Sequence, residues 1–212
     1  PFDIEIKLLR FIGLKPSAVL DIGANSGVYS IALEDIVGAE NLYIFEPLPH
    51  LYQRLKAFFK KSYVSNVALS DREGRQNIRV PYINGKRFST RATLNYHGEV
   101  DQTGFDEIEV EIFSLDYIAH RIVFDAIEFI KIDVEGHELE IINGGVQTIT
   151  KFKPLLLVEI EARHHEFPIS DIFSKLEGMG YRGYYLNPNT LELLAISRFS
   201  SGRDQNPEHL KT

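Results

Sequence analysis

"VLDIGANSGVYSIAL", residues 19–33, decides the fold. An apolar run stops at Asp21, glycines stand at 23 and 27, and apolar residues at helical spacing follow at once. The change of period from strand to helix marks the opening unit of a parallel α/β sheet. The ends of such strands form the usual ligand crevice.

Working outward, the alternation continues. "LYIFEP" (42–47) reads as the next strand and Pro47 ends it. "LYQRLKAFFKK" (51–61) reads as a helix with Leu51, Leu55 and Phe58 on one face, and "YVSNVALS" (63–70) as a third strand. Residues 72–113 break the pattern. "GRQNIRVPYI" (74–83) and the strongly alternating "FDEIEVEIFSL" (105–115) flank a polar stretch, which predicts a hairpin-like β insertion with 105–115 as an exposed or edge strand. A long element of this kind is a candidate lid or substrate-facing piece. The α/β order then resumes with a buried strand at 126–136, a helix at 137–149, a strand at 154–161 and a helix at 171–180. Runs at 181–187 and 191–198, joined by "PNT", predict a hairpin, so at least one closing strand is antiparallel. The expected fold class is therefore α/β: a Rossmann-like, doubly wound, mostly parallel sheet in one domain over 1–212. An amphipathic helix over 2–13, with Ile4, Leu8, Phe11 and Ile12 on one side, precedes it, and a loose tail at 199–212 follows. A chain that starts at Pro1 is expected to be a trimmed piece of a longer one.

Composition narrows the function. The 212 residues carry a formal net charge of −7, so duplex nucleic acid is an unexpected partner. The basic run "KAFFKK" (56–61) reads as a solvated helix end. With no cysteine there is no disulfide, thiolate metal site or cysteine nucleophile. No membrane span is expected, because no run of eighteen apolar residues occurs. The localisation we expect is cytoplasmic, and the residues fix no oligomeric state.

The opening turn then asks which ligand it takes. Gly23 permits a tight turn, and Gly27 lets a ligand or the sheet approach the start of the helix. Glu46 ends the second strand nineteen residues past Gly27, where an acid accepts from a ribose diol in dinucleotide folds. Yet the middle glycine that admits a pyrophosphate is missing, as is the Lys of a phosphate-binding loop. Asp21 would repel a pyrophosphate and attract a sulfonium or a cationic amino-acid moiety. The pattern suits S-adenosyl-L-methionine; the plain alternative is a glycine turn with Asp21 as helix cap. Asn66, Val67 and Ala68 would lie beside the first strand ends, with Asn66 reading an adenine edge and the other two flanking the base.

A second cluster, "KIDVEGHELE" (131–140), ends the fourth strand, and "VEIEARHH" (158–165) ends the fifth. Asp133, Glu135, His137 and Glu138 come from the first; Glu159, Glu161, His164 and His165 come from the second. Neighbouring strand ends would bring them together. A carboxylate or His as general base, a divalent metal held by Asp133 and Glu159, or a carboxylate pair for glycoside hydrolysis all fit this residue set. "HELEI" lacks the second His of a zinc-protease motif. Capping acids on a solvated surface are the plain alternative. Tyr82, Arg87, Arg91, Tyr96 and His97 in the insertion would contact a sugar or an acidic substrate, or form loop surface.

"VLDIGANSGVYSIAL", "IFEPLPHLYQRL", "NVALSD", "SLDYI", "IKIDVEGHELEIINGG" and "LLVEIE" together resemble FkbM-type, S-adenosylmethionine-dependent methyltransferases across residues 17 to 161. The resemblance implies a seven-stranded, mostly parallel sheet with an antiparallel closing hairpin. It implies that Asp21, Gly23, Ala24, Asn25 and Gly27 cradle the methionine and ribose part of the cofactor. Glu46, with Pro47 beside it, would hold the ribose hydroxyls; Asn66, Val67 and Ala68 would border the adenine; Asp133 and Glu135 would face the methyl group and acceptor. The acceptor would be a small-molecule or glycan hydroxyl on a sugar, glycolipid or polyketide. Asp133, Glu135 and His137 are the candidate catalytic residues, and Asp133, or a metal held by it, is the first choice of base. A nicotinamide-dependent enzyme and a nucleotide-binding module without turnover are the rival readings.

Overall fold

The structure is a computed structural model that describes residues 4–95, 102–187, 190 and 192–205, with the side chains of Ile4 and Glu5 outside the description. The chain divides into two compact units, Pro1–Glu159 and Ile160–Thr212.

The first unit begins with α1 (Ile4–Ile12), β1 (Ala18–Ile22), α2 (Val28–Val37), β2 (Leu42–Phe45), α3 (Pro49–Phe58), β3 (Tyr63–Ser65) and β4 (Ala68–Ser70). The insertion follows as β5 (Gly74–Ile83), β6 (Lys86–Arg87) and β7 (Gln102–Ser114). It closes with α4 (Leu115–Ile122), β8 (Ile127–Ile132), α5 (Glu138–Gly144), α6 (Val146–Phe152) and β9 (Leu155–Val158). Five strands form a parallel sheet in the order β3-β2-β1-β8-β9. The order reverses between β1 and β8, which opens the crevice beyond their carboxyl ends.

Every residue of β1 is buried, including Asp21. Leu33 and Val37 of α2, Leu55 of α3 and Phe129 of β8 pack with Val19 and Ile44 into one apolar cluster. A second cluster joins Leu48 and Leu51 to Ile78, Val80, Val110 and Ile112 of the insertion, so the insertion shares the core of this unit. Burial of these side chains is the main stabilising term, at about 25 cal/mol per Å² of apolar surface.

Several expectations need correction. In α1 the buried residues are Ile6 and Leu9, while Phe11 is 87% and Ile12 50% exposed. On α3, Phe58 is 65% exposed and Phe59 takes the buried place, because the chain leaves helical geometry at Phe59 and turns its ring toward Gly27. The expected third strand over 63–70 is two strands in two sheets: β3 joins the central sheet, and β4 pairs with β7. Of the two readings of 105–115, an exposed or an edge strand, the first holds: β7 lies inside a four-stranded sheet ordered β4-β7-β5-β6 and is exposed on one face. Its alternating exposure comes from one solvated face, where Arg75 pairs with Glu109 and Arg79 with Glu107. The expected helix over 137–149 is two helices, α5 and α6, separated at Gly145.

The second unit carries α7 (Ser170–Gly178), β10 (Tyr184–Leu186), β11 (Leu193–Ala195) and α8 (Ser201–Asp204). Strands β10 and β11 form an antiparallel hairpin that pairs as a two-stranded sheet of its own. Part of the expected loose tail is ordered. It forms α8, and the Gln205 side chain holds the backbone of Ile160 and Ala162. Among the described residues no helix is long and apolar enough to cross a membrane.

Candidate active site

A cavity of about 320 Å³ opens at the carboxyl ends of β1, β2 and β8 and at the start of β4. This is the size of a small-ligand pocket. One side is made by Gly23, Ala24, Asn25 and Ser26, by Glu46 and Pro47, and by Val67 and Ala68. The other is made by Lys131, Asp133, Glu135 and His137, with Ser89, Thr90, Ala92 and Leu94 of the insertion. Glu159 also lines it.

The glycine turn is built by close approach. Gly23 has φ +77, and a Cβ there would sit 1.9 Å from the Asp133 carbonyl oxygen, so β1 and β8 can meet only through a glycine. Gly27 caps α2 at φ +85, but a Cβ on it would strike Leu55 and Phe59. The neighbour that demands this glycine is therefore α3.

Asp21 lies beneath the cavity. Its Oδ2 accepts from Ser30 Oγ at 2.5 Å, and its Oδ1 is buried with no hydrogen-bond partner, 3.5 Å from Lys131 Nζ. Register explains the encounter, since Asp21 and Lys131 stand opposite each other on β1 and β8. The Lys131 ammonium also donates to Asp133 Oδ2 at 3.0 Å and lies 4.7 Å from the Tyr29 ring centroid. Burial pushes Lys131 toward the neutral form, but Asp21 and Asp133 outweigh it and hold its pKa above the usual lysine value. Burial likewise raises Asp133, against the pull of Lys131.

Glu46 is buried. Its Oε2 accepts from the Asn25 N–H and its Oε1 from the Leu48 N–H, both at 2.8 Å. Burial pushes its pKa up to about 7, against these two hydrogen bonds. Asn66 is not part of the cavity lining, and its Nδ2 donates to the carbonyls of Glu46 and Pro47 at 3.1 and 2.8 Å. It shapes the end of β2.

The turn after β8 is held by the insertion. Glu135 adopts φ +53 and Gly136 φ +94. Thr93 Oγ1 donates to the Glu135 carbonyl at 2.7 Å, and Asn95 Nδ2 donates to the Gly136 carbonyl at 2.7 Å. His137 is 2% exposed, with Nδ1 3.0 Å from Asn95 Oδ1 and Nε2 2.9 Å from Ser70 Oγ. Burial lowers its pKa, so the ring is neutral near pH 7. Glu138 Oε1 accepts from the Gly136 N–H at 3.0 Å and closes the turn that leads into α5.

The remaining candidates have other partners or places. Among the described residues no three His, Asp or Glu side chains are placed to hold a metal ion, and Asp133, one of the two candidate ligands, is paired with Lys131. Tyr82 and Arg87 both turn to Asp106, at 3.1 and 3.4 Å. Glu161 pairs with Arg163, and His164 and His165 fall in the second unit. Tyr96 and His97 lie outside the described residues. Sequence reading missed Lys131, whose signal was a lone cation two residues before Asp133 in a buried strand. It also missed Thr93 and Asn95, which carried no signal.

Comparison with known proteins bears on the family of the chain. The Methyltransferase FkbM domain matches residues 21–182. A curated relative, the 2-O-methyltransferase NoeI of Sinorhizobium fredii (strain NBRC 101917 / NGR234), is 32% identical over 148 residues. That match covers 65% of this chain and spans 61% of the relative's length. The crystal structure of methyltransferase FkbM from Methylobacillus flagellatus KT aligns with a TM-score of 0.53 at 18% identity, over 80% of this chain and 40% of that one. A SAM-dependent methyltransferase from Aquifex aeolicus aligns at 0.42 and 18% identity, over 87% and 81% of the two chains. With a matching domain that runs from Asp21 of the glycine turn through the 131–140 cluster to the start of the closing hairpin, this chain belongs to the FkbM methyltransferase family.

Proposed function

We propose that the chain is an S-adenosylmethionine-dependent O-methyltransferase acting on a hydroxyl of a sugar, glycolipid or polyketide-type acceptor. The observation that carries this reading is a single cavity with two unlike sides. One side is a nucleoside-sized cradle of backbone and apolar groups; the other is a carboxylate-bearing turn roofed by the insertion.

The residues present fit the cofactor. Gly23 leaves the turn free of side chain, Glu46 offers carboxylate oxygens at the end of β2, and Val67 and Ala68 supply apolar flanks for a base. The charge also fits, because two carboxylates, the buried Asp21 and the half-buried Asp133, stand against one ammonium. When bound, S-adenosylmethionine supplies a methyl group already activated by its sulfonium. The protein's tasks are then alignment, exclusion of water and acceptance of one proton from the acceptor hydroxyl. His137 is unsuited to that last task, since both ring nitrogens are engaged in buried hydrogen bonds. The proton falls to Asp133 or Glu135, both of which line the cavity.

The name of NoeI, a 2-O-methyltransferase, supports oxygen as the acceptor atom. The test is methyl transfer from labelled S-adenosylmethionine to a panel of hydroxylated glycans, glycolipids and polyketides. Transfer to a hydroxyl is the expected result. Label found on nitrogen or carbon would overturn the acceptor class.

A further inference from the structure

Lys131 is an unusual residue to find in the wall of a cavity. It is 3% exposed and is the penultimate residue of β8, whose other charged residue is the half-buried Glu128, yet it reaches the cavity beside Gly23 and Asp133. An ammonium has three donors. One is used at ordinary length, on Asp133 Oδ2 at 3.0 Å; the other close oxygens, Asp21 Oδ1 and the Gly23 carbonyl, are both 3.5 Å away. Burying a cation is costly unless its hydrogen bonds are completed. Asp21 supplies charge from below but does not line the cavity, while Asp133 does. The cavity therefore presents an adjacent positive and negative charge, 3.0 Å apart, next to the glycine turn.

We propose that Lys131 and Asp133 together form the binding pair for the zwitterionic amino-acid tail of the cofactor, Lys131 taking the α-carboxylate and Asp133 the α-ammonium. This rests on the S-adenosylmethionine reading. Opposite charges on one carbon are recognised best by opposite charges a few ångströms apart, and charge-assisted hydrogen bonds give that recognition both strength and direction. Asp21 keeps Lys131 charged when the tail is absent. The Tyr29 ring restrains the ammonium from the remaining side. One consequence follows for catalysis: with Asp133 committed to the tail, Glu135 is the carboxylate left for the acceptor.

The experiment is a calorimetric comparison of three ligands: S-adenosylhomocysteine, its decarboxylated analogue, and methylthioadenosine, which lacks the amino-acid tail. In Lys131→Met the affinity for S-adenosylhomocysteine is expected to fall about 10- to 100-fold, the range for a charged hydrogen bond. Its affinity for methylthioadenosine and for the decarboxylated analogue should stay within about threefold, since neither presents the carboxylate. Asp133→Asn should weaken the decarboxylated analogue, which keeps its ammonium, and leave methylthioadenosine unchanged. Binding of methylthioadenosine reports that each variant is folded, and Lys131→Arg, which keeps the charge, should recover most of the loss. The proposal is overturned if Lys131→Met binds S-adenosylhomocysteine as the wild type does, or loses all three ligands equally while Lys131→Arg does the same. A wild-type protein that binds none of the three overturns the methyltransferase reading itself, and the pair with it.

Discussion

Asp21 and Lys131 face each other across β1 and β8, fully register-matched, with 3.5 Å between Oδ1 and Nζ and neither side chain more than 4% exposed. This buried contact joins the glycine turn to the acidic turn, the two halves of the site.

Breaking it should be felt in stability. Asp21→Asn leaves Lys131 with one carboxylate where it had two and is expected to cost about 3 kcal/mol, as for other buried pairs that lose a partner. The pH dependence has a definite sign. The pKa of Lys131 is raised above 10.5 in the folded state, so its contribution is complete below pH 10.5 and is lost as pH rises through the folded value. Denaturant titrations from pH 7 to 11 should show the alkaline loss in the wild type and a weaker one in Asp21→Asn.

Glu46 should titrate near neutrality. Its folded pKa is about 7 against an ordinary 4.5, so the folded state holds more protons between these values and stability falls as pH rises through the window. The whole effect is about 3 kcal/mol from the size of the shift. Glu46→Gln should flatten the fall. A ribose diol donates to the ionised carboxylate, so affinity for S-adenosylhomocysteine should rise with pH up to about 7 and become flat in Glu46→Gln. An unchanged slope in the variant would remove Glu46 from the ribose role.

The turn at Glu135 stores backbone strain. A non-glycine residue at φ +53 costs about 1 kcal/mol, which glycine avoids. Glu135→Gly should keep or raise the melting temperature while lowering methyl transfer at least about 100-fold, as for loss of a general base. Gly136→Ala, at φ +94, should lower stability instead.

Asn95 should act on transfer more than on cofactor affinity. Asn95→Ala removes the partners of His137 Nδ1 and the Gly136 carbonyl, at about 1–3 kcal/mol for groups left unsatisfied. Methyl transfer is expected to drop about tenfold or more, the size of one such lost contact. The affinity for S-adenosylhomocysteine should change much less, because Asn95 holds the acidic turn and touches none of the glycine turn. Equal losses in both would show that the insertion supports the whole cavity.

Much of this was legible in the sequence because it is local. The 19–33 stretch changes period where the chain changes structure, and the tight turn at Gly23 follows from that spacing, while its close approach to the Asp133 carbonyl does not. The misreadings came from choices made by tertiary contact. Adjacent Phe58 and Phe59 offer two equally apolar faces, and Gly27 selects Phe59 by leaving room for its ring. The break at Asn66 is fixed by its bonds to the carbonyls of Glu46 and Pro47, twenty residues away in sequence. Thr93 and Asn95 sit in a polar stretch of no periodicity, and their work is visible only once the insertion folds back over Glu135 and Gly136. Lys131 was visible as a charge in a buried strand. Its meaning required the register that sets Asp21 beside it.

The most direct test of the account is calorimetric titration of the wild-type chain with S-adenosylhomocysteine, with NAD as the control. The account predicts micromolar affinity for S-adenosylhomocysteine, about −8 kcal/mol, and none for NAD. Binding of NAD with no response to S-adenosylhomocysteine would contradict it, and the glycine turn would then belong to a different cofactor.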